Sequence, residues 1–121
     1  MLHVSQSPCV RLYLVGQEIV IAQSVQAVSS ALGEVLKTYQ LTRTVRRAEV
    51  IALKDRVSEA RVIAGAHARG RLIRTNLEEL VETQRMIDNE YLQGEVLSYA
   101  MDQLRLLHMD LKRNYEAFAR G

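Results

Sequence analysis

The 121-residue sequence predicts an all-α protein, a helical bundle of three to four long amphipathic helices. One proline and six glycines are too few turn-forming residues for a β-sandwich or barrel of this length. The chain also has one phenylalanine and no tryptophan, whereas strands favour aromatic side chains. Apolar residues recur at alternating three- and four-residue steps, which is the helical period. We therefore expect a single helical domain over 1–121, with 1–9 as a flexible polar tail.

The first predicted helix spans about 18–40, because its apolar residues fall on one stripe. That stripe consists of Ile21, Val25, Val28, Leu32, Val35 and Tyr39. Residues 10–22 leave two interpretations open. They can extend the helix, or they can form a β-hairpin, because apolar and polar residues alternate on both sides of Gly16. A lone two-stranded ribbon is only marginally stable without a sheet to join.

A second helix is predicted over 43–69 by another set of apolar and small residues in three- and four-residue steps. The set consists of Val50, Leu53, Val57, Ala60, Ala64 and His67. Gly70 follows it, and glycine is common just past the end of a helix.

The third apolar repeat predicts either one helix over 76–119 or two helices broken near Gly94. Thr75 and Glu78 have the spacing of a capping box, which favours a helix start at residue 76. The repeat then changes phase near Met101, and either alternative accounts for that change.

Charge is distributed in blocks along the second and third predicted helices. Nine basic and three acidic residues lie between Arg43 and Arg74, and seven acidic residues and one basic residue lie between Glu78 and Asp102. Equivalent heptad positions are basic on one helix and acidic on the other: Arg47, Lys54 and Arg61 against Asp88, Glu95 and Asp102. Such positions face each other in an antiparallel helical pair. We therefore expect an antiparallel coiled-coil-like hairpin over about 43–118, in which Lys54 pairs with Asp88 and Arg47 with Glu95. A slip of one heptad would instead pair Arg61 with Asp88, Lys54 with Glu95 and Arg47 with Asp102, but it would break the capping box at Thr75.

The residues that usually carry chemistry are scattered. The three histidines are far apart in the sequence, and none has the spacing of a zinc site. The glycines at 65 and 70 have the spacing of a phosphate loop, but Arg71 and Leu72 stand where lysine and serine or threonine are required. His67 and His108 lie on apolar stripes, where we expect partly buried structural histidines. We therefore expect no catalytic, cofactor-binding or metal site, and a protein that is not an enzyme.

These features favour an interaction protein that acts through helix–helix contacts, as an assembly, adaptor or regulatory subunit. The stripe from Ile21 to Tyr39 is the predicted contact surface. We expect a homodimer, a complex with another helical protein, or both. The sequence leaves open whether the apolar stripes close within one chain or between subunits.

A nucleic-acid-binding regulator is the alternative, because arginines cluster in the segment Arg43–Arg74. The clustered residues are Arg43, Arg46, Arg47, Arg69, Arg71 and Arg74. No helix-turn-helix or RNA-binding motif accompanies them, and no aromatic residue lies among them to stack on bases. The charge-free stretch between Glu18 and Glu34 is too short to cross a bilayer, and the single cysteine, Cys9, cannot form an intrachain disulfide. We expect a cytoplasmic protein without a membrane span.

Overall fold

A computed structural model describes the backbone of residues 8–89 and 92–121, and the side chains of 16–89 and 92–121. The described residues form four α-helices and no strand: α1 (Pro8–Thr42), α2 (Arg47–Gly65), α3 (Arg71–Ile87) and α4 (Gly94–Arg120). The four helices pack against one another, which confirms the predicted all-α helical bundle.

Each helix packs against two others. In the part of the chain that the structure describes, α1 lies beside α2 and α4, α3 lies beside the same two helices, and the diagonal pairs have no Cα atoms within 8 Å of each other. Short connections force consecutive helices to run in opposite directions. The bundle is therefore four-helix and up-down-up-down, with the α2–α3 turn at one end and the α1–α2 turn at the other.

The core lies along the bundle axis and draws on all four helices. Ile21, Leu53, Leu77 and Leu104 are almost completely buried, one from each helix. Full burial of such a side chain stabilises the fold by about 1.5–3 kcal/mol. Because the helices differ in length, the two ends of the bundle are not alike.

Helix α1 begins ten residues before the predicted start at 18, so residues 10–22 are helical and do not form a hairpin. Pro8 suits the first turn of a helix, where its missing amide hydrogen costs no hydrogen bond. Of the predicted tail, residues 1–7 lie outside the described part of the chain, whereas Pro8 and Cys9 belong to α1.

The capping box at Thr75 is not used, because α3 begins at Arg71. Gly70 is the N-cap of α3 and makes no side-chain cap hydrogen bond. It is therefore not the residue just past α2, which ends at Gly65. Glu78 instead accepts an ion pair from Arg74, one turn earlier on the exposed side of α3, at 3.2 Å.

The third apolar repeat forms two helices. Helix α4 begins at Gly94, whose φ of 65° lies in the left-handed region that glycine adopts most easily. The break places Glu95 and Asp102 on α4, diagonally opposite α2. The predicted pairing of Arg47 with Glu95 is therefore wrong, and Asp102 pairs with Arg105 on its own helix at 2.7 Å.

One segment of the described residues, Gly16–Thr42, is long and apolar enough to cross a membrane by length and composition alone. Its most apolar side forms the contact of α1 with the rest of the bundle. A buried helix of a bundle has this composition as well, so the segment is weak support for a membrane span.

Candidate functional site

The stripe predicted to contact a partner lies inside the bundle. Ile21, Val28 and Leu32 have no exposed surface, Val25 and Val35 are almost as buried, and Tyr39 is half-buried against the core. The structure therefore corrects the prediction: this stripe packs on α2 and α4 of its own chain. Its periodicity showed that it must be covered, but not which helices cover it.

An open apolar groove lies between α1 and α2, beside the α2–α3 turn. It has a volume of about 530 Å³. Its lining residues are Gly16, Gln17, Val20, Ile21, Val62, Ile63, Ala66 and His67. Val62 is 76% exposed and Val20 is 44% exposed, although both are apolar. We call this surface the α1–α2 groove.

Small residues keep the groove open. A Cβ atom built on Gly16 would meet no atom of the described residues within 4 Å outside its own part of the helix. Ala66 is also small and lies just past the end of α2. These two positions therefore contribute little side-chain volume to the groove.

A cluster of contacts around Arg69 lies at one end of the groove. The Arg69 guanidinium pairs with Glu18 at 2.7 Å and donates a hydrogen bond to the Phe118 carbonyl oxygen at 3.2 Å. It also lies over the Phe118 ring, 4.8 Å from the ring centre. The edge-on ring of His67 contacts the same phenylalanine, with 5.2 Å between ring centres. These contacts join the α2–α3 turn to α1 and to the end of α4.

The predicted basic patch divides into two clusters at opposite ends of the bundle. Arg43, Arg46 and Arg47 lie at the α1–α2 turn, and Arg69, Arg71 and Arg74 lie at the α2–α3 turn. Helix α2 separates them by roughly 28 Å at 1.5 Å per residue. Several of these charges are also engaged, since Arg69 and Arg74 form ion pairs and Arg43 lies over the Tyr39 ring.

A basic stripe that combines Arg47 of the predicted patch with two further residues runs along α2. Arg47, Lys54 and Arg61 are exposed and recur every seven residues, so successive members are about 10 Å apart. Lys54 and Arg61 line the same surface groove as Asp88 at the α2–α3 contact. None of the three forms an ion pair with another described residue, so the predicted pairing of Lys54 with Asp88 is not made. We call these three residues the α2 basic stripe.

His108 joins α4 to α1 through a 2.7 Å hydrogen bond between its Nε2 atom and the Ser29 hydroxyl. Partial burial, as predicted for this histidine, lowers its pKa below the ordinary value of 6.5. The positive charge of Lys112 lowers the pKa further. The neutral ring is therefore the form that the folded state favours.

We expect the protein to become less stable as the pH falls below 6.5. Below that value the unfolded chain binds a proton at His108 more readily than the folded chain does, so protonation favours unfolding. Above pH 6.5 the His108 ring is neutral in the folded and the unfolded state, and its contribution to stability is fully present. Urea unfolding at about pH 7.5 and 5.5 measures the difference, and these values lie above the range in which ordinary carboxylates titrate. His108→Gln should show a weaker pH dependence; an equal dependence would contradict the assignment.

Asn76 is a buried polar residue that the sequence pattern did not reveal. Its side chain is 2% exposed, and its Nδ2 atom donates a long hydrogen bond of 3.5 Å to the Leu107 carbonyl oxygen. The Oδ1 atom is buried and has no hydrogen-bond partner among the described residues. The capping-box interpretation hid this position, because it placed Asn76 in the exposed first turn of a helix.

Within the ranges 16–89 and 92–121, no group of three or more His, Cys, Asp or Glu side chains is placed to hold a metal ion. The α1–α2 groove and the α2 basic stripe are the candidate functional surfaces of the described residues. Comparison with known proteins finds no matching family model, no significantly similar curated protein and no significantly similar solved structure.

Proposed function

We propose that this chain is a non-enzymatic helical interaction protein, an assembly, adaptor or regulatory subunit that binds another helix in the α1–α2 groove. The exposure of Val62 and Val20 on an open apolar surface carries the proposal. Covering apolar surface lowers the free energy by roughly 25 cal/mol per Å². A groove between two helices is a common way to bind the apolar side of a third.

The composition of the groove suits a helix better than a polar ligand. Val20 and Val62 form the two walls, and Ile21 and Ile63 form the floor. Gln17 and His67 are the polar lining residues, which gives an apolar centre with polar groups beside it, as in protein interfaces.

Site-specific photo-cross-linking tests this function. A benzophenone amino acid at position 62 should cross-link a protein in the native cell, either another copy of this chain or a different protein. The matched control is position 51 on the same helix, where Ile51 is also apolar and 47% exposed but lies outside the groove. A protein product from position 62 and not from position 51 is the expected result. Equal labelling at both positions, or none at position 62, would contradict the proposal.

A second candidate function is binding of nucleic acid along the α2 basic stripe. The observation that favours it is the lack of ion-pair partners for Arg47, Lys54 and Arg61 among the described residues. Unpaired arginine and lysine side chains can replace the counterions of a phosphate backbone. Their spacing of about 10 Å along one helix lets them follow a single strand or one edge of a duplex.

Charge reversal tests this second function. Changing Arg47, Lys54 and Arg61 to glutamate should abolish retardation of duplex DNA or single-stranded RNA at low salt. Neutralising one of the three, for example by Lys54→Gln, should reduce the salt slope of log K by about one unit. The control reverses Arg105, Arg113 and Arg120 on α4, which alters the net charge equally on the helix diagonal to α2. Equal loss in both triple variants, or no binding by the unchanged protein, would contradict the proposal.

A further inference from the structure

Helix α4 exposes more large apolar side chains than any other helix in the described part of the chain. Its four are Val96, Tyr99, Leu106 and Met109, and each is more than half exposed. They lie on the side of α4 that faces away from the bundle. Leu106, for example, points about 200° away from the core residue Leu104, at 3.6 residues per turn. The bundle therefore leaves one face of α4 uncovered by the described residues.

This outer face has a heptad repeat of its own. Six residues follow one another at steps of four, three, four, three and four, which is the spacing of a stripe that contacts another helix. All six are exposed: Glu95, Tyr99, Asp102, Leu106, Met109 and Arg113. The core of α4 uses a separate repeat, which includes the buried Leu97, Leu104 and Leu111. We call the six exposed residues the α4 outer stripe.

The spacing of the α4 outer stripe is symmetric about residue 104. If two copies of α4 run antiparallel and cross at residue 104, Tyr99 of one copy lies level with Met109 of the other. Glu95 then lies level with Arg113 of the second copy. A two-fold dimer requires a surface that is complementary to itself, so that each contact occurs twice. The α4 outer stripe has this property.

The charges of α4 are also arranged for an antiparallel pair. Residues 94–103 hold two acids, Glu95 and Asp102, and no base, which gives a net charge of −2. Residues 105–114 hold three bases and one acid, which gives +2. An antiparallel pair brings each acidic half beside a basic half, whereas a parallel pair brings like charges together.

We propose that the α4 outer stripe pairs with the same stripe of a second copy of this chain, antiparallel and crossing at residue 104, to form a two-fold dimer. The inference goes beyond the proposed function. The stripe lies on the helix diagonal to α2, and none of its residues lines the α1–α2 groove. A chain can therefore hold a second copy on α4 and a different helix in the groove.

Two kinds of contact favour this register. Tyr99 meets Met109 of the second copy, and a methionine sulfur beside an aromatic ring is a favourable contact. Glu95 meets Arg113 at each end of the paired segment. Glu95 forms no ion pair with another described residue. Arg113 is 71% exposed and pairs with Asp110 only at 3.5 Å, so its side chain is free to turn toward a second copy.

The middle of the paired segment is its weakest part. Asp102 lies level with Leu106 of the second copy and brings a charge beside an apolar side chain, although its pair with Arg105 at 2.7 Å partly balances that charge. The stripe is also short, about 27 Å at 1.5 Å per residue. We therefore expect a small interface and a dissociation constant on the order of 10–100 µM.

Sedimentation equilibrium of the full chain at low salt, over a range of concentrations that spans this constant, tests the dimer. The mass should rise from 13.7 kDa toward twice that value. Leu106→Glu should raise the dissociation constant at least about tenfold, because it places charge in the paired stripe. Ile51→Glu on α2 is the matched control, since it adds the same charge at a similarly exposed apolar residue, and it should dimerise like the unchanged protein. Circular dichroism verifies that both variants are folded.

A charge exchange tests the register. Glu95→Arg and Arg113→Glu should each raise the dissociation constant about tenfold, because symmetry creates two like-charged contacts in either dimer. The double variant restores opposite charges at both ends, so its dissociation constant should return to within about threefold of the original value. In a parallel pair each residue would meet its own equivalent, and the exchange would restore nothing. A double variant as weak as the single ones would overturn the antiparallel register.

The remaining outcomes separate this dimer from the helix-binding function of the groove. A monomer at every concentration overturns the dimer and leaves the photo-cross-link from position 62 as an independent result. A dimer that Val62→Glu disrupts and Leu106→Glu leaves intact also overturns the proposal, because the copies would then meet at the α1–α2 groove. A dimer that Leu106→Glu disrupts and Val62→Glu leaves intact supports it, whatever position 62 cross-links.

Discussion

Replacing Asn76 by aspartate is expected to lower the free energy of unfolding by about 3–5 kcal/mol at neutral pH, by analogy with other buried charges that lack a partner. The side chain is 2% exposed, and its Oδ1 atom has no hydrogen-bond partner among the described residues. The substitution places a negative charge there, and the new oxygen would face the Leu107 carbonyl oxygen to which Asn76 now donates. Neither oxygen of the aspartate would gain a hydrogen bond that compensates for its loss of hydration.

Urea unfolding at several pH values measures this effect. Burial raises the pKa of a carboxyl group, so the folded Asn76→Asp variant should favour the protonated form. The difference between the variant and the unchanged protein should therefore shrink as the pH falls toward about 4, the ordinary range for aspartate. A difference that stays constant from pH 7 to 4 would contradict the explanation by buried charge.

Asn76→Leu is the control, because it keeps a side chain of similar size and removes the polar atoms. We expect it to be as stable as the unchanged protein or about 1 kcal/mol more stable, since no buried oxygen is left without a partner. A large loss of stability in both variants would show that the shape of asparagine matters at this position and not its charge state.

Gly70→Ala is expected to have the second largest effect, a loss of about 1–3 kcal/mol. A Cβ atom at this position would lie 2.2 Å from the Ala64 carbonyl oxygen. The Cβ atom and the Ala64 carbonyl oxygen are both fixed by the backbone, on either side of the α2–α3 turn. Neither atom can therefore rotate away from the other. The turn itself must move, and with it the contact between the end of α2 and the start of α3.

The control is Gly33→Ala in the middle of α1. A Cβ atom there meets nothing within 4 Å, so the substitution should stabilise the protein by about 0.5–1 kcal/mol through the better helix propensity of alanine. In thermal and urea unfolding, we expect Gly70→Ala to lower the stability of the protein and Gly33→Ala to raise it. If Gly70→Ala unfolds like the unchanged protein, the close approach of Ala64 is not maintained in solution.

Gly70→Ala also bears on the proposed function. Ala66 and His67 line the α1–α2 groove and belong to the same turn as Gly70. A displaced turn should reduce the photo-cross-link from position 62 in addition to lowering stability, whereas Gly33→Ala should leave the cross-link unchanged. This comparison connects the geometry of the turn to the shape of the groove.

Much of the fold could be predicted because helical periodicity is a local property. The stripes containing Ile21 and Val50 were assigned correctly to helices, since a spacing of three and four residues aligns side chains whatever packs on them. The ends of helices were less predictable. Thr75 and Glu78 satisfy the local pattern of a capping box, but α3 begins at Arg71, five residues before the predicted start.

The candidate site could not be predicted as a unit. The groove combines residues of α1 and α2 that are more than forty positions apart in sequence, such as Val20 and Val62. No local pattern marks either residue, because an exposed valine on a helix is ordinary. They form a surface only because the α1–α2 turn brings the two helices side by side.

The sequence by itself determined the all-α class and the side of each helix that must be buried, since both follow from composition and from the 3.6-residue period. Only the tertiary structure decided which helices cover one another. The break before Gly94 pairs α2 with α3 and places α4 diagonally, so Glu95 and Asp102, which were expected opposite α2, lie on α4 instead. The same arrangement buries the Ile21–Val35 stripe and leaves Val62 exposed. Pairing depends on the lengths and directions of connections and on contacts between distant segments, which no local pattern contains.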